Sequence, residues 1–542
     1  MLYLDPPYNT GDKDWAYNND FMGKSDVFRP SKWLAFMERR LILGRRLLKP
    51  DGVMVVTIDE HEVHHLGMLL EQMFPEAVIE MATIVIASSG ASGHLSRADE
   101  YAFFCFFGDA PRPTALGEDF LTGGDEVRER SVRWRNLLRS GNHAAREERP
   151  RLFYPVLIDP VENKIVGFGE PLIGADPDLA APVGGMRASW PIRGDGSWGS
   201  WSNRPETCRK LLSDGFLKLG QYDDKRKTWS VLYLNDKVRK EIASGQVEVS
   251  GRDDQGAVVA EFAHTPRLSV KTVWHRGRHN AGDYGSTLLN KFLGGTKAFS
   301  FPKSLYAVRD TLDILTHDKP DALIVDFFAG SGTTLHATVL LNADDDGHRR
   351  SILVTNNDVR AEDVLQLNAD RVFRGDPAFE SRGIFAMATV PRITAAVTGT
   401  RPDGKPVEGT YLDGREYSEG FEENVEFFRL KYLDPMLVEM GRSFVDLHPL
   451  LWLAAGGVGK IEDLDPAARY AVPAGSHYAV LFHPAGVPKL LAALKGRPDV
   501  NRVFIAAHSD SSFSELSSVM PVGVEAIHFQ QKFLDTLRGA VL

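Results

Sequence analysis

VDFFAGSGTT, Val325 to Thr334, is the stretch on which the fold turns. The apolar run Ala322–Phe328 has the length and composition of a buried strand, a glycine-rich turn follows, and Thr333–Asn342 has the pattern of a helix. Gly330 and Gly332 let the backbone approach a ligand, and the helix that follows offers free N–H groups to an anion. The spacing is neither GxxxxGK[ST] nor GxGxxG, and the lysine of a phosphate-binding loop is absent. An uncharged, glycine-lined turn suits a bulky cofactor that is not held by phosphates. After the turn ADDDGHRR, Ser351–Thr355 is expected as the next strand.

The same alternation marks the first 110 residues. Trp33, Met37, Leu41 and Leu48 fall on one helical face that ends at Pro50-Asp51-Gly52. Val53–Val56 is expected as a buried strand, Glu60 to Phe74 as a helix, and Val78–Ile86 and Tyr101–Phe107 as strands around the loop SSGASG, Ser88–Gly93. Such βα alternation implies a mostly parallel sheet covered on both faces. Between 110 and 290 the rhythm is lost; Gly, Pro and Asp punctuate short segments in which Trp134, Trp190, Trp198, Trp201, Trp229 and Trp274 are scattered. Beyond about 390, hairpin-like segments precede the apolar run Leu447–Ala455 and three expected strands, Tyr478–Phe482, Val503–Ala507 and Val524–His528.

At 542 residues the chain calls for two to four domains, and 43% apolar with 25% charged residues is a globular composition. No apolar run approaches the roughly 18–20 residues that span a bilayer, and the N-terminus lacks a signal-peptide order, so the cytoplasm is the expected compartment and no membrane partner is expected. Cys105 and Cys208 lie too far apart for a ligand-like spacing. The net charge of −10 argues against a wholly basic nucleic-acid binder, yet eight arginines face four glutamates between Glu126 and Arg151. That basic island interleaves cations with Trp134 and Phe153, and Arg133, Arg135, Arg139 and Arg146 are its candidate DNA contacts. A second basic cluster, His264 to His279, contributes Arg276 and Arg278, and its scatter does not have metal-site spacing.

The chain opens with DPPYNTG, Asp5 to Gly11. DPPY combined with FAGSGT resembles the amino-methyltransferases of DNA, which move a methyl group from S-adenosyl-L-methionine to an exocyclic base nitrogen. The order of the two motifs matches the circularly permuted β-group, and the wording is similar to the modification subunits of Type III restriction–modification systems. LLKPDGVMVVTIDEHEVHHL, SSGASGHLSRADEYAFF, YGSTLLNKFLG, FSFPKSLYAVRDTL, DFFAGSGTTLHA and SILVTNND carry that likeness across most of residues 1–360.

The resemblance implies an α/β fold: a Rossmann-like S-adenosylmethionine-dependent methyltransferase sheet with an inserted target-recognition domain and a small C-terminal α/β module. Residues 1–110 would be the catalytic half, 111–285 the target-recognition region, 286–390 the cofactor-binding half, and 395–542 a module for dimerisation or partner docking. A base amino group is a poor nucleophile because its lone pair is delocalised. The carboxylate of Asp5 and the carbonyl of Pro6 would accept its two N–H bonds and favour a pyramidal nitrogen. Pro6 and Pro7 fix φ and bring no competing N–H. Tyr8 would stack on the extruded base, and Asn9 would support the turn. The donor is already an activated sulfonium, so alignment and electrostatics matter most and no metal is required.

Asp326, Phe328, Ala329, Gly330 and Gly332 match the part that holds the methionine half, and Thr333 and Thr334 open a helix where a carboxylate is favoured. Lys303 and Ser304 match contacts to the methionine carboxylate, and Asp358, with Asn356 as its rival, an acid on the ribose hydroxyls. In a doubly wound sheet, strands ending in Asp5 and Asp326 would set both loops side by side. The family usually has a segment ahead of DPPY, so for the four-residue strand Met1–Leu4 three readings stand: a neighbouring element compensates, the true start lies upstream, or the chain is a natural truncation. The acid of DPPY leans towards adenine N6, since cytosine-N4 enzymes more often have serine there. Two alternatives stay open: cytosine-N4 transfer, and a recognition subunit inactive without a restriction partner or upstream segment. The implied partners are double-stranded DNA, a restriction helicase–nuclease subunit and a second copy of the chain.

Overall fold

The computed structural model describes residues 1–10, 28–87, 94–122, 132–141, 144–430, 436, 444–507 and 509–528. The loop Ser88–Gly93 and island residues Arg128 and Arg130 lie outside these. The chain forms two compact units, Met1–Glu419 and Gly420–Leu542.

The first unit is built on a seven-stranded sheet. Its strands are β1 (Leu2–Leu4), β2 (Val53–Ile58), β3 (Val78–Val85), β4 (Asp99–Phe106), β5 (Val273–Trp274), β6 (Leu323–Asp326) and β7 (Arg350–Leu353). They lie in the order β5-β3-β4-β2-β1-β6-β7. All neighbouring pairs are parallel except those of β4, which runs against both β2 and β3. The apolar run of β4 is compatible with either direction. Among the described residues no helix lies between it and β3, and a parallel crossover in the same sheet usually carries one.

Helix α1 (Arg29–Leu47) turns Trp33, Met37 and Leu41 into a core shared with Leu2, Leu4, Met54, Val56 and Phe328. Helix α2 (Val63–Met73) adds Leu66 and Leu70 to it. The brevity of β1 is offset by position: it pairs with β2 on one side and β6 on the other, and Leu2 and Leu4 are fully buried. Next come α3 (Leu305–Thr316), α4 (Thr333–Asp345) and α5 (Val390–Thr398). Helix α4 is buried from Thr333 to Asn342 on every face, which fits its apolar and small residues.

The scattered tryptophans of the insertion are mostly core. Trp201 packs with Tyr154, Leu211 and Val231, and Trp190 stacks on Phe153 at 5.1 Å. Among the described residues four short sheets carry this region, one pairing Arg135–Asn136 with Thr228–Tyr233. The two ends of the insertion pair with each other, and its C-terminal end joins the main sheet. Thr114–Leu116 pairs with Arg267–Ser269, and Trp274 lies in β5 against Phe104 and Phe120. Residues 395–419, grouped by sequence with the C-terminal module, fold with the first unit; Tyr411 OH meets His336 Nε2 at 2.8 Å and Leu412 N–H donates to Tyr306 OH.

In the second unit, Tyr478–Leu481, Arg502–Ile505 and Glu525–His528 form parallel neighbours, with Tyr470–Ala471 antiparallel at the edge. Among the described residues no helix is long and apolar enough to cross a membrane.

Candidate functional site

Strand β1 places the site. Leu2 is in register with Met54 of β2 and Val325 of β6, all parallel, so the chain leaves β1 at Asp5 and β6 at Asp326 from the same edge of adjacent strands. Segments some 320 residues apart in sequence thereby share the carboxyl end of the sheet, where open α/β folds bind ligands.

Beyond β1, Asp5 Oδ1 accepts from Thr57 Oγ1 at 2.6 Å and pairs with Lys303 Nζ at 3.1 Å. Both contacts fall on one oxygen, and Oδ2 carries none among the described residues. Lys303 Nζ also donates to Glu100 Oε2 at 2.7 Å and to the Tyr8 hydroxyl, and lies 4.4 Å from the Tyr8 ring centroid. Tyr8 in turn donates to Glu100 Oε2 at 3.3 Å. Burial alone would depress the Lys303 ammonium, but Asp5 and Glu100 outweigh it and hold it above its ordinary value. The turn is braced behind: Trp33 Nε1 donates to the Pro7 carbonyl at 2.7 Å. Asn9, buried at φ 57°, donates to Glu62 Oε1. Asparagine is among the few non-glycine residues that tolerate this left-handed conformation.

The second loop begins at Asp326, whose Oδ1 accepts from Phe328 N–H at 2.8 Å and Oδ2 from Thr334 Oγ1 at 2.6 Å. Gly330 and Gly332 have φ of 48° and 80°, and a Cβ on either would press against Phe299 or Ile393. Phe328 and Ala329 are buried, Phe328 in the core against Phe36. Burial, with the charge of Asp5 adding to it, pushes the Asp326 carboxyl up to about 7 against its two hydrogen bonds. The folded chain therefore holds this proton more tightly than the unfolded chain, and stability falls as pH rises from about 4 through about 7. Asp326→Asn is expected to flatten that slope in urea unfolding followed from about pH 5 to about pH 8. Parallel curves for the two proteins would refute it.

Several sequence-expected residues are placed otherwise. Lys303 lies in the corner with Asp5 and Glu100. Ser304 caps α3, accepting from Ala307 N–H, and its hydroxyl hydrogen is donated to the Arg278 carbonyl. Asp358 pairs with Arg374 at 2.9 Å and accepts from Asn356 at 2.6 Å, so the two rivals are hydrogen-bonded to each other. Arg146 is buried on Asp176, the Leu172 carbonyl and the Phe153 ring. Arg276 and Arg278 share Glu118, and Arg278 also reaches Asp310 at 2.7 Å. These three arginines are internal ion-pair partners, since burial of their charges requires counter-charges, and they do not present a DNA-facing surface. Arg133 and Arg135 are exposed and Arg139 is half-buried. Sequence reasoning missed Thr57, Glu100 and Trp33, which support the corner from β2, β4 and α1, and Arg392 of α5. The acidic pair heading an apolar strand (Asp99-Glu100) and a lone charge inside an apolar helix (Arg392) were the available signals.

The DNA methylase family model (N6/N4 type) matches residues 1–355. The Type II methyltransferase M.KpnI of Klebsiella pneumoniae is 27% identical over 365 residues, covering 66% of this chain and 75% of that protein. The Mod subunit of the Type III restriction–modification enzyme EcoPI of Escherichia phage P1 is 27% identical over 395 residues, covering 66% of this chain and 54% of the subunit. The chain thus spans only about half of that Type III relative. The crystal structure of the M1.HpyAVI–SAM complex aligns with 68% of this chain and 88% of its own at 10% identity and a TM-score of 0.23, a likeness too low to bear on the fold.

Proposed function

The chain belongs to the DNA methylase family, and from that premise we propose that it transfers a methyl group from S-adenosyl-L-methionine to the exocyclic N6 of an adenine turned out of duplex DNA. The observation that carries this reading is the convergence of the Asp5 corner and the Asp326 loop on one edge of adjacent parallel strands. The glycine loop fits the cofactor: left-handed Gly330 and Gly332 bring backbone close to a ligand, and the first turn of α4 presents N–H groups to a carboxylate. When bound, the cofactor supplies an activated methyl group on a sulfonium.

The rest falls to the chain's own groups. Thr57 and Lys303 hold Asp5 through Oδ1, which orients Oδ2 to accept one amino hydrogen of the base, and the Pro6 carbonyl accepts the other. Pro6 and Pro7 keep this acceptor geometry stiff. Tyr8 stacks on the base; its phenol, held well above its ordinary value by burial and the charges of Asp5 and Glu100, stays protonated. The test is transfer of labelled methyl to duplex DNA with the product nucleosides separated. N6-methyladenine is expected; N4-methylcytosine alone would replace the adenine reading, and no transfer from a folded chain that binds the cofactor would favour the recognition-subunit reading.

Duplex DNA is proposed to lie along the insertion through Arg133, Arg135 and Arg139. Arg133→Ala combined with Arg135→Ala is expected to weaken binding at every sequence and to reduce the salt slope of log K by about 2. An unchanged slope in a salt titration would move the DNA elsewhere. The Mod relative motivates a restriction helicase–nuclease as partner.

A further inference from the structure

Arg392 has no side-chain exposure, and no carboxylate among the described residues pairs with it. Its Nη1 donates to Ser331 Oγ at 2.8 Å and to Thr333 Oγ1 at 2.6 Å, both in the cofactor loop. Nε and Nη2 are buried without a hydrogen-bond partner among the described residues. Burial pushes the guanidinium down, to about 9. A buried cation facing only neutral hydroxyls is costly, and such groups normally have an anion to balance them. The position is specific: Arg392 points at the first residue of α4, and its neighbours Thr389 and Ile393 pack on the loop itself. Thr389 Oγ1 donates to the Gly330 carbonyl at 2.6 Å, and the Ile393 side chain fills the space beside Gly332.

Resting on the methyltransferase reading, we propose that Arg392 is a positioning residue for the cofactor's carboxylate, acting through Ser331 and Thr333. Each hydroxyl accepts from the guanidinium, so its own hydrogen must point elsewhere. The two oxygens are 3.3 Å apart, and one hydrogen bridges them. The other is left to donate outside the pair. The fixed positive charge behind this pair polarises it and adds to the helix N-terminus as the field an anion meets there. The carboxylate supplies the negative charge the buried guanidinium lacks. Arg392 lies beyond residues 1–355, so the family match does not assign it a role.

The test compares two thioethers, S-adenosylhomocysteine, which carries the amino-acid tail, and 5′-methylthioadenosine, which lacks it. Calorimetric titration of Arg392→Met is expected to show S-adenosylhomocysteine weakened about 10- to 100-fold and 5′-methylthioadenosine unchanged within about 2-fold. Arg392→Lys, which keeps the charge, should fall between the parent and Arg392→Met. Thr333→Val, which keeps shape and removes one hydroxyl, should repeat the tail-selective loss and decides the matter if Arg392→Met does not fold. Equal weakening of both ligands, or of neither, would overturn the proposal. A parent chain that binds neither ligand would overturn the cofactor reading itself.

Discussion

Asp5→Ala is expected to lower methyl transfer by about 10³-fold or more while S-adenosyl-L-methionine remains bound. The separation of the two effects follows from the fold. Asp5 follows β1 and Asp326 ends β6; the substitution removes the proposed acceptor for the base amino group and leaves the glycine loop, Thr334 and the N-terminus of α4 in place. The side chain of Asp5 is partly exposed, and its partners Thr57 and Lys303 keep other contacts at the Leu4 carbonyl and Glu100, so the corner should not collapse. Transfer is read with labelled donor under single-turnover conditions, and cofactor binding by calorimetry. An undiminished rate would remove Asp5 from the chemistry. A joint loss of rate and cofactor binding would mean that the two loops are not separable as described.

How much of this could be read from the sequence depends on the range of each interaction. VDFFAGSGTT was legible because strand, turn and helix are local patterns, and the positive φ values at Gly330 and Gly332 are those glycine alone adopts freely. The adjacency of β1 and β6 followed from permutation, a topological argument that needs no side-chain detail. The direction of β4 was not legible, because its fully apolar run looks the same in either orientation. The basic cluster around Arg276 and Arg278 misled for a different reason. Its counter-charges, Glu118 and Asp310, lie 160 and 32 residues from Arg278, and a count of nearby charges cannot see them. The same applies to Lys303, whose partners sit on β4 and beyond β1, and to Arg392, which stands out because no carboxylate among the described residues pairs with it.

Lys303→Met is the second substitution with a large expected effect, and it separates two roles for this lysine. In the structure, one ammonium holds Asp5 at 3.1 Å and Glu100 at 2.7 Å. Without it, the two carboxylates have lost the cation between them, which disfavours ionising both at once. Asp5 must be ionised to accept the amino hydrogen, so a raised carboxyl value means that activity appears only at higher pH. The acid limb of the kcat profile is expected to move up by about 1 to 3 pH units. The rate at neutral pH should fall by about 10- to 100-fold and recover as the solution is made alkaline. Adding Glu100→Gln removes the competing carboxylate and should return the limb part of the way. Stability is expected to drop by about 3 to 5 kcal/mol in Lys303→Met, because a buried pair has lost one partner, and by less in the double variant. A lysine serving the methionine carboxylate would behave differently: its loss would raise the dissociation constant for the cofactor and leave the acid limb where it was. That result would return Lys303 to the glycine loop and leave Asp5 oriented by Thr57 alone.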